Sequence, residues 1–141
     1  MISLAPFLLF DGTCVEAMTF YRDCLGGQLS VTRLGDTPMK DGAPSELHGR
    51  VVYAHLQSES MELNATDWLH PRRNPRQGNT VGLYVSGDAD SRFRDLFDAL
   101  AVGADPDLLD ELRQEPFGLY GHLADRYGVH WFFRGEPTSA R

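Results

Sequence analysis

The sequence predicts an α+β fold in which one βαβββ module, a strand and a helix followed by three strands, occurs twice. The first observation is the order of elements at 4–34, where an apolar strand, a D-G break, an amphipathic helix and a Gly pair precede a second strand. The second observation is the same order at 78–112, again with one amphipathic helix. Each half ends in a strand hairpin, at 51–66 and at 117–134. We therefore expect two similar modules that form a curved mixed sheet around a cup.

The length of 141 residues fits one domain with a substantial core. We expect that domain at 1–134, divided into module one at 1–66, a linker at 67–77 and module two at 78–134. The residues at 135–141 are expected to form a flexible tail. The chain begins without a basic leader or a small-residue cleavage site, so its start is expected to form a strand and not a signal peptide.

Both helices have recognisable ends. Thr13 and Glu16 match a T-x-x-E capping box, and Gly26 is expected to end the first helix. The second helix has Asp88 or Asp90 as its N-terminal signal. Apolar side chains recur along both helices at intervals of three and four residues, which predicts that each helix packs on a sheet.

Charge and cysteine content limit the classes of binding partner and indicate the cellular location. The net charge of -7 argues against nucleic acid, which favours a basic surface. No apolar run reaches the roughly 20 residues that span a bilayer, so no membrane contact is expected. Cys14 and Cys24 lie ten residues apart on one helix, about 15 Å along its axis, which is too far for a disulfide. Two cysteines that cannot form a disulfide with each other indicate a reducing, cytoplasmic location.

Alternation in the first hairpin divides its side chains between two faces. The apolar face, expected under the helix, contains Val52, Ala54, Leu56, Met61, Leu63 and Ala65. The polar face, expected toward the cup, contains Tyr53, His55, Gln57, Glu62, Asn64 and Thr66. A tight turn at Glu59 and Ser60 would fix the register. Gln57 would then lie opposite Glu62, and His55 opposite Asn64.

The second module is expected to offer fewer charged groups to the cup. Its first strand would direct Val81, Leu83 and Val85 toward the helix, which leaves Thr80, Gly82 and Tyr84 toward the cup. A turn at 125–128, with Gly128 able to adopt positive φ, would connect the last two strands. His130 and Phe132 alternate with apolar neighbours in the final strand and would also face the cup.

Three segments make the chain recognisable: F-D-G-T-C-V-E-A-M-T-F-Y at 10–21, A-H-L-Q-S-E-S-M-E-L-N-A-T-D-W at 54–68 and F-G-L-Y-G-H-L-A-D-R-Y-G-V-H-W at 117–131. They resemble the vicinal oxygen chelate superfamily, which includes glyoxalase I, bleomycin-resistance proteins and extradiol dioxygenases. The greatest similarity is to its PhnB-like branch of small, mostly uncharacterised bacterial proteins, over residues 4–134. The resemblance implies paired βαβββ modules around a small-molecule cup, a homodimer and, in enzymatic members, a divalent metal in the cup.

The expected metal ligands are largely absent. Glu62 matches the carboxylate ligand of glyoxalase-like members, but its counterpart in the last strand is expected to be Phe132, which cannot bind a metal. Thr80 stands where many enzymes have His, and the first-strand position near Ala5 has no ligand. A displaced site on His55 and Glu62 would need a further donor, for which the candidates are Asp67, His122 and His130. We therefore expect no metal and no other cofactor.

The sequence thus predicts a small-molecule-binding protein. The pocket residues are expected to be His55, Gln57, Glu62, Asn64, Thr80, Tyr84, His130 and Phe132. The alternative is an enzyme, either a metal-dependent lyase or isomerase or one that uses Glu62 as a general base. The Gly- and Pro-rich segment 35–50 is expected to be a long loop of the kind that forms lids. His48, His70, His122 and His130 show no metal-type spacing such as H-x-x-x-H, which argues against a metal-binding role for them.

Overall fold

The computed structural model describes residues 1–59, 61–70, 72 and 74–137. The chain divides into two compact units, Met1–Arg76 and Gln77–Arg141. Among the described residues, each unit contains one α-helix and a four-stranded mixed sheet. The predicted α+β class and the duplicated βαβββ module are therefore confirmed.

The first unit contains β1 (Phe7–Phe10), α1 (Cys14–Leu25), β2 (Gln28–Arg33), β3 (Val51–Ser58) and β4 (Met61–Asp67). Its strand order is β1-β4-β3-β2, in which β1 runs parallel to β4 and the other pairs are antiparallel. Helix α1 packs against β2, β3 and β4. The interface is formed by side chains that are buried on the helix and on the strands: Cys14, Ala17, Met18, Tyr21, Leu25, Ala54, Leu56, Leu63 and Ala65.

The second unit contains β5 (Leu83–Asp88), α2 (Ser91–Ala101), β6 (Asp110–Glu115), β7 (Gly118–Ala124) and β8 (His130–Glu136). The order β5-β8-β7-β6 repeats that of the first unit, with β5 parallel to β8. Asp90 caps α2 by accepting a hydrogen bond from the Phe93 amide at 3.0 Å, as one of the two predicted caps. Phe93 and Phe97 of the helix both meet the ring of Phe133 edge to face.

The register predicted for the first hairpin is confirmed. Gln57 pairs with Glu62, and His55 pairs with Asn64. Glu59 has a φ of 45°, which a tight turn requires, while Ser60 lies outside the described residues. The hydrophobic pattern was sufficient here because a slip of one residue would have exposed Leu63.

One strand position was predicted wrongly, because β3 contains a bulge. Val51 is fully buried, whereas Val52, predicted on the helix side, is only half-buried. The β2 partners of the strand skip Val52, so it is the extra residue of the bulge. The hydroxyl oxygen of Thr66 lies 3.1 Å from the carbonyl oxygen of Val51 and 3.0 Å from that of Val52, so it contacts the backbone of both residues at the bulge.

The start of α1 also differs from the prediction. Thr13 makes no side-chain capping hydrogen bond. Instead, Oδ1 of Asp67 accepts from the amides of Gly12 and Cys14 at 2.9 and 3.0 Å. Its Oδ2 accepts from the Val51 amide at 2.9 Å. A carboxylate at the end of β4, predicted as the first residue of the linker, therefore caps a helix that begins 53 residues earlier.

Three further segments correct the predicted boundaries. Strand β5 begins at Leu83, so Thr80 and Gly82 precede it, and Val81 is 82% exposed and does not face the helix. The loop at 35–50 is organised by three short 3-10 turns. Within it, Nε2 of His48 lies 3.0 Å from the carbonyl oxygen of Lys40 and 3.1 Å from that of Ala43. Strand β8 extends to Glu136, so the predicted tail begins inside the sheet; residues 138–141 lie outside the described part.

Candidate functional site

The polar side chains predicted in the first hairpin meet on the side of the sheet away from α1. Nε2 of His55 lies 2.9 Å from Oε2 of Glu62, and the two side chains are 30% and 43% exposed. The hydroxyl of Tyr53 donates to Oδ1 of Asn64 at 2.7 Å. The rings of Tyr53 and His55 stack with an interplanar angle of 8° and centroids 6.3 Å apart. We call these four residues, Tyr53, His55, Glu62 and Asn64, the polar face of the first unit.

Apolar side chains border the polar face. Phe7 pairs in register with Asn64, and Leu9 with Thr66, so both point to the same side of the sheet. Phe7 is 53% exposed and Leu9 43% exposed, although both are large and apolar. The surface therefore combines a hydrogen-bonding centre with an accessible apolar margin, which suits a molecule with both kinds of group.

Gln57 does not join this group. Its Nε2 lies 3.4 Å from the carbonyl oxygen of Met61, at the turn end of the hairpin. Of the four binding residues predicted in the first unit, the structure thus brings His55, Glu62 and Asn64 together and places Gln57 at the edge.

The second unit brings two histidines into contact. Nε2 of His122 lies 3.0 Å from Nδ1 of His130, and the rings stack with centroids 5.2 Å apart. The His122 ring also packs on Phe132, with centroids 4.5 Å apart. Nδ1 of His122 lies 3.7 Å from Oδ2 of Asp110, its partner residue on β6. His130 was predicted in the pocket, but its contact with His122 was not.

Burial and the neighbouring imidazole determine the protonation of His122. Its pKa is lowered from the ordinary value, first by burial and then by the proximity of His130. Asp110 acts in the opposite direction because its carboxylate favours the imidazolium. The net result is a histidine that stays neutral to lower pH than an exposed one.

Tyr84 and Phe132 are register partners on β5 and β8, so both lie on the same side of the sheet as the histidines. Tyr84 is 64% exposed. Gly82 lies against the Phe132 ring so closely that a side chain there would collide with it. We call Tyr84, His122, His130 and Phe132 the histidine face of the second unit. Thr80 is exposed and precedes β5, outside this group.

The two hairpins carry equivalent pairs. His55 pairs in register with Asn64, and His122 with Phe132. Glu62 lies two residues before Asn64, and His130 lies two residues before Phe132, so the counterpart of Glu62 is His130. The expectation that Phe132 is this counterpart is therefore wrong.

A sequence signal for this equivalence exists. The segment Y-A-H-L at 53–56 recurs as Y-G-H-L at 120–123, in the same strand of each hairpin. Aligning these two tetrapeptides places His122 opposite His55.

Comparisons with known proteins agree with this architecture. No protein-family model and no curated protein matches the sequence. Among solved structures, the chain is similar to protein PA1353 from Pseudomonas aeruginosa, at 28% identity and a TM-score of 0.83 over 97% of this chain and 99% of that one. It is also similar to the PhnB protein from Bacillus cereus, at 23% identity and a TM-score of 0.71 over 96% and 100%.

A third similar structure is the glyoxylase/bleomycin resistance protein/dioxygenase domain from Frankia sp. EAN1pec. It is 15% identical, with a TM-score of 0.60 over 96% of this chain and 97% of that one. The chain has the fold of the vicinal oxygen chelate superfamily. The fold that the sequence resemblance implied is therefore confirmed, with PhnB and glyoxalase-like proteins among its structural neighbours.

The residues present do not fit the divalent metal of enzymatic superfamily members. Within the described part of the chain, no three side chains of His, Cys, Asp or Glu converge in an arrangement that could hold an ion. Asp67, one of the donors that a displaced site would need, has both oxygens engaged by backbone amides. His55 and Glu62 contact each other, and no third His, Cys, Asp or Glu among the described residues joins them. Within the same residues, no helix is long and apolar enough to cross a membrane.

Proposed function

We propose that this protein is a PhnB-like member of the superfamily that binds a small, partly apolar molecule. The contact between His55 and Glu62 carries the proposal, because it holds a donor and an acceptor ready on an accessible face. The binding residues we assign are those predicted from the sequence: His55, Gln57, Glu62, Asn64, Thr80, Tyr84, His130 and Phe132. By the same resemblance, we assign it to bacteria as a homodimer, and two cysteines without a disulfide favour a reducing cytoplasm.

Stability alone does not account for the polar face. An exposed ion pair contributes only about 0.2–1 kcal/mol to folding, and the His55 and Glu62 side chains are 30% and 43% exposed. Phe7 and Leu9 beside them lose the benefit of burial, which is about 1.5–3 kcal/mol for a large apolar side chain. A ligand that covers the apolar margin would regain the free energy of burying Phe7 and Leu9, and it would also form hydrogen bonds with His55 and Glu62.

A thermal-shift screen against small hydrophobic metabolites and antibiotics tests the proposal, with calorimetric titration of each compound that raises the melting temperature. His55→Gln and Glu62→Gln should weaken binding at least about tenfold, the effect of about 1.4 kcal/mol. The matched controls are His70→Gln and Glu111→Gln, which change exposed residues that are not part of the polar face. If compounds bind the His55 and Glu62 variants as tightly as the native protein, the polar face is not the binding site.

The same contact supports a second candidate, an enzyme of the lyase or isomerase type in which Glu62 acts as a general base. A base must reach the proton that it removes, and Glu62 is accessible beside a histidine that can orient it. Glu62→Gln should then abolish turnover while substrate binding changes little. Metal analysis of untagged protein, purified without chelator, tests the metal-dependent form. A stoichiometric divalent ion that is lost in Glu62→Ala would overturn the metal-free proposal.

A further inference from the structure

We propose that His130, held by His122 and Asp110, accepts the proton of a weakly acidic hydroxyl group on a planar ligand, such as a phenol or an enol. The proposal concerns the histidine face of the second unit. It rests on the proposed function and deepens it, because it names the class of molecule that binds.

The hydrogen-bonding order of the three groups gives His130 this role. The Asp110 carboxylate lies 3.7 Å from Nδ1 of His122 and favours a proton on that nitrogen. In neutral His122, Nε2 then carries a lone pair and accepts a hydrogen bond. Because Nδ1 of His130 lies 3.0 Å away, it is the donor. The neutral pair therefore keeps the lone pair on Nε2 of His130, which makes this nitrogen the base.

The surroundings of the pair select a planar molecule. His130 is only 7% exposed, which favours a snug contact over a loosely hydrated one. Phe132 packs on His122, and Tyr84, its partner on β5, is 64% exposed. Aromatic rings prefer offset or edge-to-face contacts worth about 0.5–1.5 kcal/mol beyond area burial. A planar ring placed on Tyr84 and Phe132 would bring its hydroxyl group toward the histidines.

The proton transfer is balanced without another reactant. The ligand O–H bond breaks, its proton moves to Nε2 of His130, and its electron pair remains on the oxygen. The resulting imidazolium hydrogen-bonds to the oxyanion, and Asp110 stabilises the positive charge through His122. Among the described residues of the second unit, the register places further titratable or charged side chains on this side of the sheet: Tyr84, Asp88, Arg113, Glu115, Tyr120, Arg134 and Glu136.

The probe for the experiment is 4-nitrophenol, whose absorption spectrum changes when it loses its proton. At a fixed pH below the pKa of the free probe, native protein should raise the ratio of phenolate to phenol in the bound fraction about tenfold, which corresponds to one pKa unit. His130→Gln should abolish this increase, and His122→Gln should reduce it. His70→Gln, which alters an exposed histidine, should behave like the native protein.

Nitrogen NMR of ¹⁵N-histidine-labelled native protein provides a readout that needs no variant. Without the probe, both His122 and His130 should be neutral with the proton on Nδ1. With saturating probe, His130 should show the imidazolium signature. The opposite tautomer, or a His130 that stays neutral beside bound phenolate, would overturn the proposal.

The outcomes separate this inference from the proposed function. No phenolate increase with the native protein, or an equal increase with His130→Gln, refutes the role of His130. If the compounds from the thermal-shift screen still bind the native protein but not His55→Gln, the proposed function stands without this inference. If no screened compound binds while the probe is ionised by His130, the proposed site on the first unit fails and the second-unit site remains.

Discussion

His130 occupies in the second hairpin the position that Glu62 occupies in the first. Each lies two residues before the strand residue that pairs with the histidine of Y-x-H. Each also contacts that histidine, at 2.9 Å for Glu62 and 3.0 Å for His130. Both copies of the module therefore have a histidine at this position of the hairpin. The side chain that contacts it is a carboxylate in the first copy and an imidazole in the second.

The change of partner gives the two faces different electrostatics. A carboxylate lies beside His55, whereas the imidazole beside His122 disfavours its charged form and contributes to its lowered pKa. The polar face of the first unit thus offers a carboxylate next to an imidazole. The histidine face of the second unit offers a neutral base next to aromatic rings. Symmetry of the fold does not require symmetry of function.

We expect the His55–Glu62 pair to matter little for stability. A double-mutant cycle of His55→Ala and Glu62→Ala, measured by urea denaturation, should give a coupling energy of about 0.2–1 kcal/mol, because both side chains are partly exposed. Coupling of several kcal/mol would indicate a structural role for the pair and would weaken the argument for binding.

Hydrophobic patterning was sufficient to predict the parts of the fold that a buried face determines. The register of β3 with β4 followed from the burial of Leu56 and Leu63, since the side-chain period of a strand leaves no other choice. Asp90, one of the two residues predicted as the N-terminal signal of α2, caps it from the position one residue before the helix. Such signals are local in sequence, so they can be read without the tertiary structure.

The errors concern residues whose role depends on distant partners. Asp67 was assigned to a linker, but it caps α1 because β4 ends beside the start of that helix. Val52 broke the alternation because the bulge in β3 depends on its pairing with β2. His130 was predicted on the correct strand, but its contact with His122 requires the register of the second hairpin. No period or spacing identifies the capping role of Asp67 or the bulge at Val52, whereas the recurrence of Y-x-H-L does indicate the position of His122.

The lowered pKa of His122 predicts a pH dependence of stability. Its ordinary value is 6.5, and the value in the folded protein is lower. As the pH falls below 6.5, the unfolded chain binds a proton at this residue before the folded protein does, so the free energy of unfolding decreases. The decrease continues until the pH passes the folded-state pKa.

Denaturant titrations at several pH values between 4 and 8 would measure this effect. His122→Gln should flatten the dependence of the free energy of unfolding on pH just below 6.5. An NMR titration should give His122 a lower pKa in the folded protein than in the urea-unfolded chain. A profile that is the same in the variant would assign the pH dependence to other groups.

Asp67→Ala should strongly destabilise the first unit. The substitution leaves the amides of Gly12, Cys14 and Val51 without their acceptor, and two of these three hydrogen bonds are buried. Hydrogen bonds to charged groups are worth about 1.5–3 kcal/mol each, and a buried amide without a partner costs a similar amount. We expect a loss of at least about 3 kcal/mol in the free energy of unfolding. Asp23→Ala, at an exposed position of α1, is the control and should change stability by less than about 0.5 kcal/mol.

Cys14 should make the protein sensitive to alkali. Burial raises the pKa of its thiol from 9.0 to about 12, and the nearby Asp67 carboxylate acts in the same direction. Between these two values the unfolded chain loses the thiol proton while the folded protein retains it, so the free energy of unfolding decreases as the pH rises above 9.0. Cys14→Ala should therefore lose less stability than the native protein between pH 8 and 10.5, when both are compared by denaturant unfolding.

Thiol labelling provides an independent check: Cys24, which is half-buried, should react with a maleimide well before the buried Cys14. Equal labelling rates in the folded protein would show that the start of α1 opens readily, and the predicted alkaline effect would then disappear with it.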